Sequence, residues 1–206
     1  MDVIVDGGSE FQLTGEPDTV LDVVNAALLY LRDKRRGIVS LSVDGESLSP
    51  EDLRAKHEAT PPGDVSRIEI ESRPVSDMVR DSLDTLEKTL PELPEACRQL
   101  AQVFQGETPE EGFEPFQEFA RIWEHVKIQQ QAIAAALGLE LTEMVLDGRP
   151  VQEHLEELNS FLLESAQALQ DGDTVLIGDL LEYELAPRAE LEARIVAALR
   201  EAADAA

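Results

Sequence analysis

Apolar positions along the chain change period once, near residue 75. Before that point short runs alternate with turn chemistry. Met1–Val5 is apolar-rich, Asp6-Gly7-Gly8-Ser9 is turn-forming and Phe11-Gln12-Leu13-Thr14 alternates, so an opening β-hairpin is predicted. Pro17-Asp18-Thr19 supplies helix start signals, with Thr19 and Asp22 spaced as a capping box. Val20, Val23, Val24, Ala27, Leu28 and Leu31 then recur on one face, and Gly37 is the expected stop. Ile38, Val39, Leu41 and Val43 read as a strand that ends in the hairpin signal Asp44-Gly45 and leads to Ser47-Leu48. A polar excursion through Pro61-Pro62-Gly63 follows, and Arg67–Glu71 alternates strictly, as a half-buried last strand should.

From Ser76 the period becomes helical. Val79, Leu83, Leu86, Leu90, Leu93, Cys97, Leu100 and Phe104 step alternately by four and three residues, a heptad stripe that continues in phase across Pro91 and Pro94. A kinked helix, or two short helices in line, is predicted rather than a reversal. Thr108-Pro109-Glu110-Glu111 opens a second helix that runs to about Leu137, with Gly138 as its cap. A link around Asp147-Gly148-Arg149-Pro150 leads to a third helix carrying Val151, Leu155, Leu158, Leu162 and Leu169. A fourth begins near Asp173, and Pro187 either kinks it or starts a fifth. Ala101–Thr108 and Ala166–Thr174 resemble each other, which suggests two related αα-hairpins.

The order of the first part, β-β-α-β-(β)-loop-β with a short glycine-centred hairpin after the third strand, resembles the ubiquitin-like β-grasp fold over about 75 residues. The expected fold is therefore α+β: a β-grasp domain over 1–75, then an all-α antiparallel bundle of about four helices over 76–206. The resemblance implies an adaptor use of the sheet. Conjugating members end in a free Gly-Gly tail, whereas this strand runs into Arg73-Pro74-Val75-Ser76, and ferredoxin-like members need a cysteine cluster that Cys97 alone cannot supply.

Charge sharpens the picture. With 17 basic against 43 acidic residues the net charge is −26, and the stretch from Ser76 onward, with 9 basic and 28 acidic, carries −19 of it. Such a field repels nucleic-acid phosphates and anionic lipid, so neither is an expected partner. A single cysteine excludes an internal disulfide and a cysteine-rich metal framework. Met1–Asp6 lacks the basic stretch and long apolar run of a secretory leader, and no run approaches the ~18 apolar residues of a membrane span, so the expected location is cytoplasmic.

Candidate chemistry is sparse. His57, His125 and His154 lack the Glu-x-x-His spacing of di-metal carboxylate bundles, and Asp6-Gly7-Gly8-Ser9 lacks a phosphate-loop lysine. The trio Asp179, Glu182 and Glu184 is the remaining cation candidate, and Arg32-Lys34-Arg35-Arg36 offsets a helix dipole. No cofactor, catalytic residue or metal ligand is assigned. Interaction residues are more visible. Phe113, Phe116, Phe119 and Trp123 share a helix face with Lys127 and Gln130, and polar groups in an apolar stripe point to an incompletely buried surface. Phe116, Phe119, Trp123, Lys127 and Gln130 are thus the candidate protein contact, and Val79, Leu83, Leu86, Leu90, Leu93 and Leu100 the candidate homodimer stripe. The expected function is a non-catalytic intracellular interaction or scaffold protein whose partner is another protein. The alternatives are an acidic chaperone or assembly factor of the secretion or flagellar type, and a metal-dependent enzyme with an acidic inter-domain cleft.

Overall fold

The computed structural model describes residues 1–8, 11–13 and 15–205, in two units, Met1–Met78 and Val79–Ala206. The chain is α+β, with a four-stranded mixed sheet first and mostly helix afterwards. The first unit comprises β1 (Asp2–Val5), α1 (Val20–Asp33), β2 (Arg36–Val43), β3 (Glu46–Ser47), α2 (Pro50–His57) and β4 (Arg67–Pro74). The strand order is β1-β4-β2-β3; β1 runs parallel to β4 and the other pairs are antiparallel. Alternation dictates the core: Val5, Leu41, Val43, Ile68 and Ile70 turn to the face on which α1 lays its own apolar stripe.

Thr19 caps α1 as its spacing requires, since its hydroxyl accepts from the Asp22 amide at 3.1 Å and the Asp22 carboxylate accepts from the Thr19 amide at 3.0 Å. The stop differs from the prediction. The helix ends at Asp33, Arg35 takes φ +53°, and Gly37 lies inside β2, where an added Cβ would sit 2.9 Å from the Met78 sulfur. The opening hairpin is also corrected. Phe11–Leu13 form no strand; Phe11 is drawn into the core, its ring edge-on to Tyr30 at 5.3 Å, because burial beneath α1 outweighs a short edge pairing. Ser9, Glu10 and Thr14 lie outside the described residues. The Asp44-Gly45 turn forms with φ +49° and +85°, the left-handed pair that a two-residue hairpin needs. The polar excursion holds an unpredicted helix, α2, capped by the Ser49 hydroxyl on the Asp52 amide and begun by Pro50.

Asp6 ties the sheet together. Its carboxylate accepts from the Ser72 amide and hydroxyl, both at 2.7 Å, and pairs with Arg36 at 3.1 Å. Burial pushes the carboxyl pKa up, but these Ser72 and Arg36 donors outweigh it, so the value lies below the ordinary aspartate range.

In the second part, α3 (Val75–Thr89) passes through a 3₁₀ turn at Leu90–Glu92 into α4 (Leu93–Phe104). Thr89, Glu92 and Leu93 all keep right-handed helical dihedrals, so the two prolines tighten the helix without reversing it. A 3₁₀ turn at Pro109–Gly112 precedes α5 (Phe113–Ala136); the Thr108 side chain makes no capping bond there. Gly138, at φ +71°, closes α5: the Leu139 amide reaches back to the Ala134 carbonyl and the Gly138 amide to Ala135, a Schellman cap. The link at Asp147-Gly148 is a miniature hairpin of β5 (Val145–Leu146) and β6 (Arg149–Pro150). Then follow α6 (Val151–Asp171), α7 (Thr174–Asp179), a π-helical segment Leu180–Leu185 and α8 (Ala186–Ala205). Helix α4 is central, in contact with α5, α7, the π segment and α8. No helix among the described residues is long and apolar enough to cross a membrane.

Candidate functional site

Helix α5 has two faces with different fates, and its sequence carries both. The inner face follows the apolar stripe. Phe116, Phe119, Trp123 and Val126 are buried, and Phe119 meets Trp123 edge-on at 5.2 Å. Burial continues through the polar positions. Gln130 is fully buried, Lys127 is largely so, and both turn to Glu192, the one charged residue on the buried face of α8 beside Ala189, Ile195 and Leu199. Glu192 accepts from the Lys127 ammonium through Oε1 and from Gln130 Nε2 through Oε2 at 2.8 Å. Desolvation holds the Lys127 ammonium below the usual lysine range, with Glu192 opposing it only in part.

This geometry corrects the expectation of an exposed aromatic contact. Phe116, Phe119, Trp123, Lys127 and Gln130 are interior, because the polar pair in the stripe finds a buried counter-charge instead of water. Glu192 escaped the sequence reading. Its signal was a lone carboxylate in phase with the apolar positions of α8, complementary to Lys127 on α5. The candidate dimer stripe is likewise spent inside the chain: Val79, Leu83, Leu86, Leu90, Leu93 and Leu100 are all buried, so they leave no open seam for a second copy. Cys97 lies in the same stripe, and burial pushes its thiol pKa up to about 12.

Two of the three cation candidates already hold partners within the protein. Asp179 accepts from Gln105 Nε2 at 3.4 Å, and Glu184 is held by Arg188 at 2.9 Å. Among the described residues no group of three histidine, cysteine or carboxylate side chains converges as a metal site. Arg188 has a structural task. Pro187 lacks an amide proton and its ring would crowd the carbonyl four residues back, so the chain widens into the π segment, and the Arg188 guanidinium donates to the Glu184 carbonyl at 2.9 Å while lying over the Phe161 ring at 4.2 Å.

The outer face of α5 borders an open groove of about 350 Å³ against α3. Leu86 and Val126, both buried, close its base, and Ile122, 37% exposed, is its lip. On the α3 wall the Thr85 hydroxyl donates to the Asp81 carbonyl at 2.9 Å and the Thr89 hydroxyl to the Thr85 carbonyl at 3.0 Å, so neither asks a ligand for a partner. At one end His125 and Gln129 share a 2.9 Å hydrogen bond, and Gln129 Oε1 is buried with no protein partner. At the other, Glu118 pairs with Arg121 at 3.2 Å, both largely exposed.

A family model described as "Domain of unknown function (DUF8042)" matches residues 81–191, more than half of the chain. The chain belongs to the DUF8042 family. No curated protein and no solved structure matches it. The DUF8042 segment begins within α3 and ends within α8, so every residue that lines the groove lies inside it, while Glu192 stands one position beyond. The sheet of the first unit lies outside the DUF8042 match.

Proposed function

We propose that this DUF8042 protein is a non-catalytic intracellular scaffold that binds another protein through its helical part, with the α3–α5 groove as the contact. The observation that carries the reading is a trough, closed at its base by the buried Leu86 and Val126 and lipped by the exposed Ile122, that the chain itself leaves open to solvent. An aliphatic lip such as Ile122 in the same groove as the polar side chains of His125 and Gln129 gives a binding surface both area and direction. The first unit fits the same role as a ubiquitin-like β-grasp adaptor domain. Support comes from β1 lying parallel to the last strand, β4, with α1 across one face of the sheet. The helical part is read as an antiparallel bundle of four principal helices.

The test is affinity capture from the source cell with the wild-type full chain, an Ile122→Asp chain and a Leu163→Asp chain. Leu163, 72% exposed on α6, is a control outside the groove. A stoichiometric partner kept by Leu163→Asp and lost by Ile122→Asp is the expected result. A partner indifferent to Ile122→Asp would sink the assignment of the groove.

A further inference from the structure

We infer that the α3–α5 groove takes a basic amphipathic helix, about three turns long, from the partner protein. This rests on the scaffold reading and adds the chemistry of what is bound.

Shape selects a helix. The trough is walled by two helices whose backbone groups are already paired within α3 and α5, so a partner strand finds no edge to extend. What remains is insertion of side chains spaced at i, i+3 or i+4 and i+7 against Ile122, above the base closed by Leu86 and Val126. The lining on α5 runs from Glu118 to Gln129, about 16 Å at ~1.5 Å per residue, which sets the length of the occupant.

Charge selects its sign. The stretch from Ser76 onward carries −19. Arg98, Arg149, Arg188, Arg194 and Arg200 are each seated on carboxylates of the same part, so the uncompensated surface is acidic. At one end of the groove Glu118 is engaged only by a solvent-exposed Arg121, a weak pair that an incoming cation can displace. The same arithmetic disfavours a second copy of this chain, whose −26 would meet −26.

The experiment measures binding of the full-length protein to three synthetic helical peptides with one leucine stripe and flanks of lysine, glutamine or glutamate, by fluorescence anisotropy at low and high salt. The lysine peptide is expected to bind at least about tenfold more tightly than the glutamate peptide, with the difference shrinking as salt rises. Ile122→Asp should lose about tenfold or more, and Leu163→Asp should bind as wild type. Thr85→Arg, which fills and charges the α3 wall, repeats the test should Ile122→Asp fail to fold. Equal affinity for the lysine and glutamate peptides overturns the inference, as does undiminished binding by a folded groove variant. A light-scattering dimer dissolved by Ile122→Asp overturns it in favour of a second copy. Capture of a partner that depends on Ile122 while no peptide of the panel binds would leave the scaffold standing and remove the basic helix.

Discussion

Glu192→Gln tests the buried triad with little change of shape. The wild-type carboxylate accepts from Lys127 and from Gln130, the latter at 2.8 Å. Neutralising it leaves the Lys127 ammonium with the neutral oxygen of the introduced amide and the Gln130 Oε1 contact at 3.4 Å, neither of which replaces a charge-assisted bond. Removing one member of a buried ion pair costs roughly 3–5 kcal/mol; because the Lys127 side chain is 21% exposed and can draw in some water, the lower end, about 3 kcal/mol, is expected. Lys127→Met should cost a similar amount by stranding the carboxylate. The double variant Lys127→Met/Glu192→Leu should return to within about 1 kcal/mol of wild type, or exceed it, since it removes both desolvated charges. The pH dependence has a definite sign. Burial lowers the Lys127 pKa in the folded protein, so between the folded and unfolded values the unfolded chain binds more protons and stability rises with pH. Lys127→Met abolishes that rise, and Glu192→Gln, by removing the opposing pull, starts it at a lower pH. Urea unfolding followed by the fluorescence of Trp123, the only tryptophan and fully buried in this part, is the assay. A loss below about 1 kcal/mol for Glu192→Gln, or single-variant effects that simply add in the double, would refute the account.

Other consequences can be measured as directly. Asp6→Asn should destabilise the first unit by about 1–2 kcal/mol, discounted for partial exposure, read from hydrogen exchange at the Ser72 amide. Because the folded Asp6 pKa is depressed, its contribution is present above the unfolded aspartate value and is lost as pH falls through the lower folded one; an exchange profile flat across that acid window contradicts the assignment. Gly112→Ala places a Cβ 2.8 Å from the Phe104 ring and should cost about 1–3 kcal/mol in thermal unfolding, with a neutral result counting against this packing. Cys97 should resist a thiol reagent at pH 8 in the native protein and react on denaturation, since burial raises its pKa to about 12; rapid native labelling would show that the α4 stripe opens.

Much of the fold was legible because the signals were local. The Thr19–Asp22 box, the Asp44-Gly45 turn and the unbroken phase from Val79 to Phe104 each specify geometry within a few residues, and each appears in the structure. Failures occurred where partners are distant or elements too short for periodicity to register. Helix α2 buries only Leu53, so its eight residues show no stripe, although Ser49-Pro50 was a readable start. Phe11 alternates as a strand residue but is claimed by Tyr30, nineteen positions on. The candidate contact misled for the same reason. Periodicity shows that Lys127 and Gln130 share the inner face of α5, yet not that a carboxylate more than sixty residues later covers them. The groove, built from the complementary face of α5, was invisible until α3 was placed beside it.

The π segment Leu180–Leu185 also governs rotational phase. Its closing bond joins the Ala186 amide to the Leu181 carbonyl, five residues back, so the helix is overfull by comparison with an α-turn. Each residue of an α-helix advances about 100° around the axis. Deleting one residue between Leu180 and Leu185 would keep the phase, whereas drawing the segment into ordinary α-helix with all its residues kept would rotate everything after it by about that angle. Ala189, Ile195 and Leu199 would swing out of the core, and Glu192 would leave Lys127. The widened turn thus acts as a setting screw for α8: composition can be unchanged and the helix made more regular, yet a plain α-turn there misaims the whole last helix.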